Sequence, residues 1–212
     1  MKVNISFSPQ TYREFKSKEE AEMWAWKYYS DLLNLPSEDA LHKIISSYTG
    51  SYYKAYNQLL RLCPPLNSDK FKHIDFEDRI DDVEEIYKID CALRSYSLPE
   101  NIIVYRFTHK KDVHKLCDKK FLCAGAIFSD RAFFSTTLVR DIMNEFRKQN
   151  RCDCMLKLYL PQGFPGAYVS FKEEWSRLDE QEFLLPPNTK FRILKNHYFT
   201  YPLEIECIAV RD

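Results

Sequence analysis

The sequence has no surplus of charge. Lysine plus arginine and aspartate plus glutamate number 31 each in 212 residues, so the formal net charge is zero and the pI about 6.9. This excludes a general electrostatic footprint for nucleic acid or for an anionic membrane, though it allows a local basic cleft. Long apolar runs are also missing: no stretch approaches the roughly 18 residues that a membrane span needs. The opening "MKVNISFSPQTYREFKSKEE" has no apolar core of signal-peptide length. No CxxC occurs, and "CDC" is not a zinc-ligand spacing. The seven cysteines, Cys63, Cys91, Cys117, Cys123, Cys152, Cys154 and Cys207, are odd in number, and most sit in apolar surroundings such as "IECIAV" and "RLCPP". The expectation is a soluble chain with reduced thiols, working in a reducing compartment. No internal repeat or low-complexity segment is evident.

What is present is a globular composition, 45% hydrophobic and 15% aromatic, in a chain long enough to bury a substantial core. The first half reads as helices. Ser17-x-x-Glu20 is a capping-box pattern followed by Ala21, Trp24, Tyr28 and Leu32 at helical spacing. "LPSEDALHKIISSY" restarts a helix at Ser37, with Leu41, Ile44, Ile45 and Tyr48 on one face. "TGSYYKAYNQLLRL" and "FEDRIDDVEEIYKIDCALRSY" follow, the latter with Ile80, Val83, Tyr87 and Cys91 expected to point inward. After Leu98-Pro99 the period changes. "IIVYRF", "AFFSTT", "CMLKLYL", "QEFLLP", "KFRIL" and "LEIECIAV" are short β-type runs, with short helices expected at "KKDVHKLCDK" and "DIMNEFRKQN". Helices first and strands later predict an α+β fold, N-terminal helices packed on a mixed or antiparallel β-sandwich core. No linker divides the chain, so residues 1–212 are expected to form one domain, helical over 1–98 and β-rich over 99–212.

Four features carry possible chemistry. Arg106 interrupts an apolar strand run, where an unpaired guanidinium is costly, and so points to a cleft, an anion or a carboxylate partner. "FFSTT" ends a strand with the hydroxyls of Ser135, Thr136 and Thr137, which can orient a carboxylate or a ligand. In "SRLDEQEFLLPP", strand periodicity places Glu180 and Glu182 on one face, roughly 6.5–7 Å apart, where they repel unless something cationic lies nearby. In "YTGSYYKAYNQLLR", Tyr53, Asn57 and Arg61 recur every four residues, so one helix face offers aromatic, amide and guanidinium groups.

Their order resembles the Arg…Ser-Thr-Ser…Glu-x-Glu class of mono-ADP-ribosyltransferase exoenzymes, which includes the enzymatic components of clostridial binary actin-modifying toxins. The resemblance runs over roughly residues 15–212 and takes in "EEAEMWAWKYY", "SYTGSYYKAYNQLLR" and "EFLLPPNTKFRIL". It implies an ADP-ribosyltransferase fold and an enzyme, toxin or effector, that moves ADP-ribose from NAD to a protein side chain and releases nicotinamide. NAD would be a co-substrate, and no metal is implied. By the resemblance, Glu182 steadies the ribosyl cation, Ser135 holds Glu182, Thr136 shapes the nicotinamide pocket and Arg106 grips the NAD phosphates. Tyr48, Tyr53, Asn57 and Arg61 match positions lining the adenine-phosphate side. Glu180, two positions before the catalytic glutamate, accompanies arginine as acceptor, and a carboxylate there can orient a guanidinium and take its proton. "AYVSFKEEWSR" stands where the family recognises its target, with Trp175 and Phe171 as candidate contacts. Actin enters as a target through the resemblance alone; neither nucleic acid nor membrane is expected as a partner. The implied place of action is a host or target-cell cytosol, reached by secretion or another delivery route. Thr137 departs from the family's second serine but keeps a hydroxyl. "LVRDIMNEFRKQNR" reads as helical where relatives carry a phosphate-contacting loop, with Arg140, Arg147 and Arg151 as candidates. Two other readings stand beside this one: a catalytically silent relative binding NAD or a protein, and a transferase acting on nucleic-acid bases.

Overall fold

A computed structural model describes residues 8–62, 80–171 and 180–211. Helix α1 (Lys18–Leu33) begins where Ser17, in extended conformation, accepts a hydrogen bond from the Glu20 amide, satisfying one of the free N–H groups of the first turn. Glu20 reaches back to the Lys16 amide at 3.0 Å. The capping box is therefore shifted one residue from the reciprocal Ser17 pairing. Ala21, Trp24, Ala25, Tyr29 and Leu32 form its buried stripe, while Tyr28 turns outward.

Helix α2 (Ala40–Ser47) starts three residues later than Ser37 because Asp39 is the cap, accepting from the amides of Leu41 and His42. A π-helical turn, Tyr48–Tyr52, joins it to α3 (Tyr53–Leu62). Helix α4 (Ile80–Ser95) corrects one expectation. Its buried stripe is Ile86, Ile89 and Leu93, whereas Tyr87 is 57% exposed and Cys91 is exposed. Two stripes at helical spacing competed, and the one with branched aliphatics at every position buries more apolar surface free of polar atoms. The side chain of Ile80 and the "FED" lead-in lie outside the described residues, as does Cys63. The other six cysteines are free thiols.

The strands are β1 (Ile102–Thr108), β2 (Ile127–Ser129), β3 (Phe134–Thr137), β4 (Cys154–Leu160), β5 (Ala167–Tyr168), β6 (Glu182–Leu185), β7 (Lys190–His197) and β8 (Leu203–Val210). Short helices α5 (Lys110–Leu116) and α6 (Asn144–Gln149) sit between them, α6 preceded by a 3-10 turn at Arg140–Met143. The strands hydrogen-bond into one mixed eight-stranded sheet in the order β2-β7-β8-β4-β1-β3-β6-β5. The α+β expectation holds, with helices first and strands after. Strands β2 and β5, three and two residues long, have too little pattern to be read from sequence.

Central β1 and β4 pair antiparallel along their whole length, from Ile102 opposite Leu160 to Thr108 opposite Cys154. Both are buried on two faces, which is why they read as continuous apolar runs rather than alternating ones. One face contributes Val104, Leu156 and Leu158 to the main core beneath the helices. The other carries Ile103, Tyr105, Phe107, Met155 and Tyr159 in a smaller cluster. Gly166, at φ +147°, lets β5 close on β6: a Cβ there would lie 2.8 Å from the Phe183 ring and 3.0 Å from the Leu184 carbonyl. This closure brings β5 and β3 to opposite sides of β6, the strand that starts with Glu182.

Candidate active site

Register places the central carboxylate. Strand β3 pairs antiparallel with β6, with Thr137 opposite Glu182 and Ser135 opposite Leu184. Ser135, Thr137 and Glu182 therefore share one face. The Ser135 hydroxyl lies close enough to the Glu182 carboxyl to favour its charged form. On the other side the Glu182 amide donates to the Ser170 hydroxyl at 2.6 Å, and its carbonyl accepts from Val169 at 3.0 Å. Glu182 is buried, and burial pushes its carboxyl up to about 7, opposed by the neighbouring Ser135 hydroxyl and Arg106 and helped by the negative charge of Glu180. Burial also raises Glu180.

Arg106, on β1, reaches across β3. Its Nη1 donates to the Ser135 carbonyl at 2.8 Å, and its guanidinium lies 4.4 Å from the Phe134 ring centroid. Among the described residues it forms no ion pair. Burial lowers its pKa, while Asp130 and Glu182 act to hold it charged. A cleft of about 450 Å³, open solvent included, is lined by Arg106, Ser135, Thr136, Thr137 and Glu180, with Tyr105 and Phe107 at its side. Three distant pieces of chain thus meet as expected from sequence. The Thr136 hydroxyl itself is committed to the Phe183 carbonyl at 2.6 Å, and that of Thr137 to the Val139 carbonyl at 3.2 Å.

The opening of β6 departs from the expected regular strand. Extended pairing begins at Glu182, and Gln181 adopts φ +48°. Its carbonyl accepts from Leu138 at 3.1 Å, and its buried amide side chain accepts from the Tyr168 hydroxyl at 2.9 Å. These ties overrule the alternation read from Glu-x-Glu.

The helical wall contributes differently. Asn57 donates to the Tyr48 oxygen at 3.2 Å and accepts from the Phe133 amide at 3.2 Å. Arg61 grips Asp130 with two hydrogen bonds, at 3.0 and 2.6 Å. Asp130 is 3% exposed, takes the Ala132 amide at 3.0 Å and is held below the usual carboxylate range by Arg61 against the opposing effect of burial. Asn57 and Arg61 therefore hold the segment that leads into β3, and half of the Arg61 side chain stays open to solvent. Tyr48 is buried, and burial with the nearby Glu182 charge raises its phenol well above the ordinary value. Tyr53 stands 43% exposed, with no described contact to the cleft. Phe171 packs on His42 at 4.4 Å, ring to ring; Trp175 lies outside the described residues.

The three arginines after Thr137 separate. Arg140 pairs with Glu204 at 3.4 Å. Arg151 sits in an exposed turn at φ +51°. Arg147 has a buried Nε without a hydrogen-bond partner among the described residues, and its charge, like that of Arg106, acts on Cys152. Sequence reading missed Ser170, Asp130 and Gln181. Only Asp130 left a trace, as an acidic residue just before an aromatic strand and opposite an otherwise unexplained helical arginine.

The sequence profile of the ADP-ribosyltransferase exoenzymes matches residues 21–202. The chain belongs to the ADP-ribosyltransferase exoenzyme family. No curated protein sequence matches it. Among solved structures, this exoenzyme is similar to Plx2a, an ADP-ribosyltransferase toxin from Paenibacillus larvae. Identity is 23% and the TM-score 0.68, over 93% of this chain and 99% of that one. C3stau2 from S. aureus, solved with NAD, is 20% identical with a TM-score of 0.70, over 95% and 99% of the two chains. BECa, the ADP-ribosylating toxin of a binary enterotoxin of C. perfringens, solved with NADH, is 24% identical with a TM-score of 0.68. There the match takes 94% of this chain but 50% of the other. Identities this low establish the shared fold. Among the described residues no helix of the exoenzyme is long and apolar enough to cross a membrane.

Proposed function

We propose that residues 1–212 form a single transferase domain that moves ADP-ribose from NAD to an arginine side chain of a protein, releasing nicotinamide. The observation that carries this reading is a cleft lined by Arg106, Ser135 and Glu180, with the buried Glu182 carboxyl close to Ser135, Glu180 and Arg106. Breaking the nicotinamide bond leaves an oxocarbenium-like ribose, as in glycoside cleavage. A buried carboxylate beside that cation is worth far more than one in water, because its field is little screened. Glu182 fills this role, its carboxyl beside the Ser135 hydroxyl and its backbone amide donating to the Ser170 hydroxyl. Arg106, a cation without an ion-pair partner among the described residues, takes the NAD diphosphate, and the orphaned Nε of Arg147 is the best second donor for the same anion. Tyr48, Asn57 and Arg61 support the adenine side by fixing the 130–133 segment, and Thr136 walls the nicotinamide end.

Glu180 selects the acceptor. It lines the same cleft, and burial gives it a raised proton affinity. A carboxylate so placed orients a guanidinium through two hydrogen bonds and accepts the proton it must lose, which an amide cannot do. The acceptor is a protein of the target cell, with actin suggested by family alone, and Phe171 marks the side from which it approaches.

Incubating the protein with labelled NAD and a cell lysate tests the reading. A protein band should become labelled, resist mild acid and lose its label to hydroxylamine, as an arginine linkage does. Absence of nicotinamide release by the wild type, with or without lysate, would end the proposal.

A further inference from the structure

Gln181 stands between the two carboxylates in a conformation that L residues with long side chains rarely adopt. Strain of this kind persists where surrounding structure over-determines it, and here the restraints can be named. The carbonyl is bonded to Leu138, the residue after β3. The side-chain oxygen is bonded to Tyr168 on β5, and the side-chain nitrogen reaches Glu22 on α1 at 3.4 Å. The residue is fully buried. None of these partners lines the cleft. Gln181 is thus anchored to three separate parts of the chain, whatever occupies the cleft beside it.

The consequence falls on Glu180. Glu182 is located by its own ladder pairing, by Ser135 and by Ser170, so its place does not depend on residue 181. Glu180 precedes the strand and, among the described residues, has no ladder partner. Its direction into the cleft is set by the turn at Gln181. We infer that Gln181 is a positioning residue that fixes Glu180 relative to Glu182, and so sets how the ribosyl cation divides between an acceptor guanidinium and water.

This inference rests on the proposed arginine transfer. In that reaction the bond from ribose C1 to nicotinamide breaks, and its electron pair leaves with nicotinamide. A guanidinium nitrogen supplies the pair for the new bond to C1, and its proton goes to the Glu180 carboxylate. In hydrolysis a water oxygen supplies the pair and its proton passes to solvent. Only the first path requires Glu180 at a fixed place, so only the first is sensitive to residue 181.

The test uses the full chain, NAD and agmatine as a small guanidine acceptor. Nicotinamide release without agmatine measures hydrolysis, and ADP-ribosyl-agmatine measures transfer. Gln181→Val, whose branched side chain disfavours positive φ, should lower the ratio of transfer to hydrolysis about tenfold while KM for NAD stays within about twofold. Gln181→Asn keeps an amide and tolerates positive φ, and should recover most of the ratio. Should Gln181→Val fail to fold, Gln181→Ala carries the test, with a smaller fall of about threefold. An unchanged ratio, or an equal fall in both rates, overturns the inference and leaves the arginine reading intact. If the wild type releases nicotinamide but does not modify agmatine, the arginine reading fails and this inference with it.

Discussion

The β3–β6 strip and the α3 face both looked from sequence like walls of one cleft, yet they do different work. On the strip, ladder pairing decides where each side chain goes. Once Thr137 stands opposite Glu182, Ser135 must share its face, and the carboxyl is brought to the hydroxyl without further adjustment. On the helix, the spacing of Tyr53, Asn57 and Arg61 says that they share a side but not what that side meets. The structure uses Asn57 and Arg61 as struts to the backbone and carboxylate of the 130–133 segment and leaves Tyr53 half in solvent. A strand motif therefore located the residues of the proposed chemistry, whereas a helix motif located support for them.

That contrast can be pressed experimentally, and the largest effect belongs to the strip. Glu182→Gln should lower the rate of nicotinamide release by roughly 10²–10³-fold, as expected when an electrostatic stabiliser is removed, with the fold intact by circular dichroism. The same change should stabilise the protein at pH 8. Glu182 has a folded pKa near 7, above its ordinary value of 4.5, so its contribution to stability is full below about pH 4.5 and lost as pH rises through 7. Removing the charge should raise stability by about 1–3 kcal/mol at pH 8 and little at pH 4.5, read as a shift in denaturant midpoint.

The struts come next. Asp130→Asn keeps the shape but weakens the charged pair with Arg61, and should cost about 1–3 kcal/mol of stability, the upper end discounted for the solvent reaching Arg61. It should lower nicotinamide release by less than Glu182→Gln does, since the residue acts through β3. Equal losses would mean that the helical wall contacts substrate after all. The pH profile is a milder probe of the strip: kcat/KM should fall about tenfold per unit below pH 7 as Glu182 takes up its proton. A flat profile from pH 5.5 to 8 would remove Glu182 from the reaction. The smallest effect is expected for Tyr53→Ser, within about 0.5 kcal/mol in stability and about twofold in KM for NAD. A large KM change would restore Tyr53 as a ring-binding residue.

The same contrast explains what the sequence made legible. Apolar runs and their order were enough for the helices and six of the eight strands, because side-chain alternation leaves few choices once a strand is recognised; the meeting of Arg106, Ser135 and Glu182 was implied by the family resemblance. The inward stripe of α4 was misjudged because two sets at helical spacing differ only in how much aliphatic surface they bury. The turn at Gln181 was invisible because nothing in "DEQEF" marks a positive φ; it comes from partners just after β3 and on β5 and α1. Ser170 could not be singled out either, since its hydroxyl matters only after β5 and β6 are side by side.

The sheet's two outer strands carry a further consequence. Among the described residues, the edges are β2 with three residues and β5 with two. Unpaired backbone at a sheet margin is what a second molecule needs in order to add on and begin a fibre. Margins this short offer only a few such groups, so β2 and β5 themselves give a second copy little to template upon.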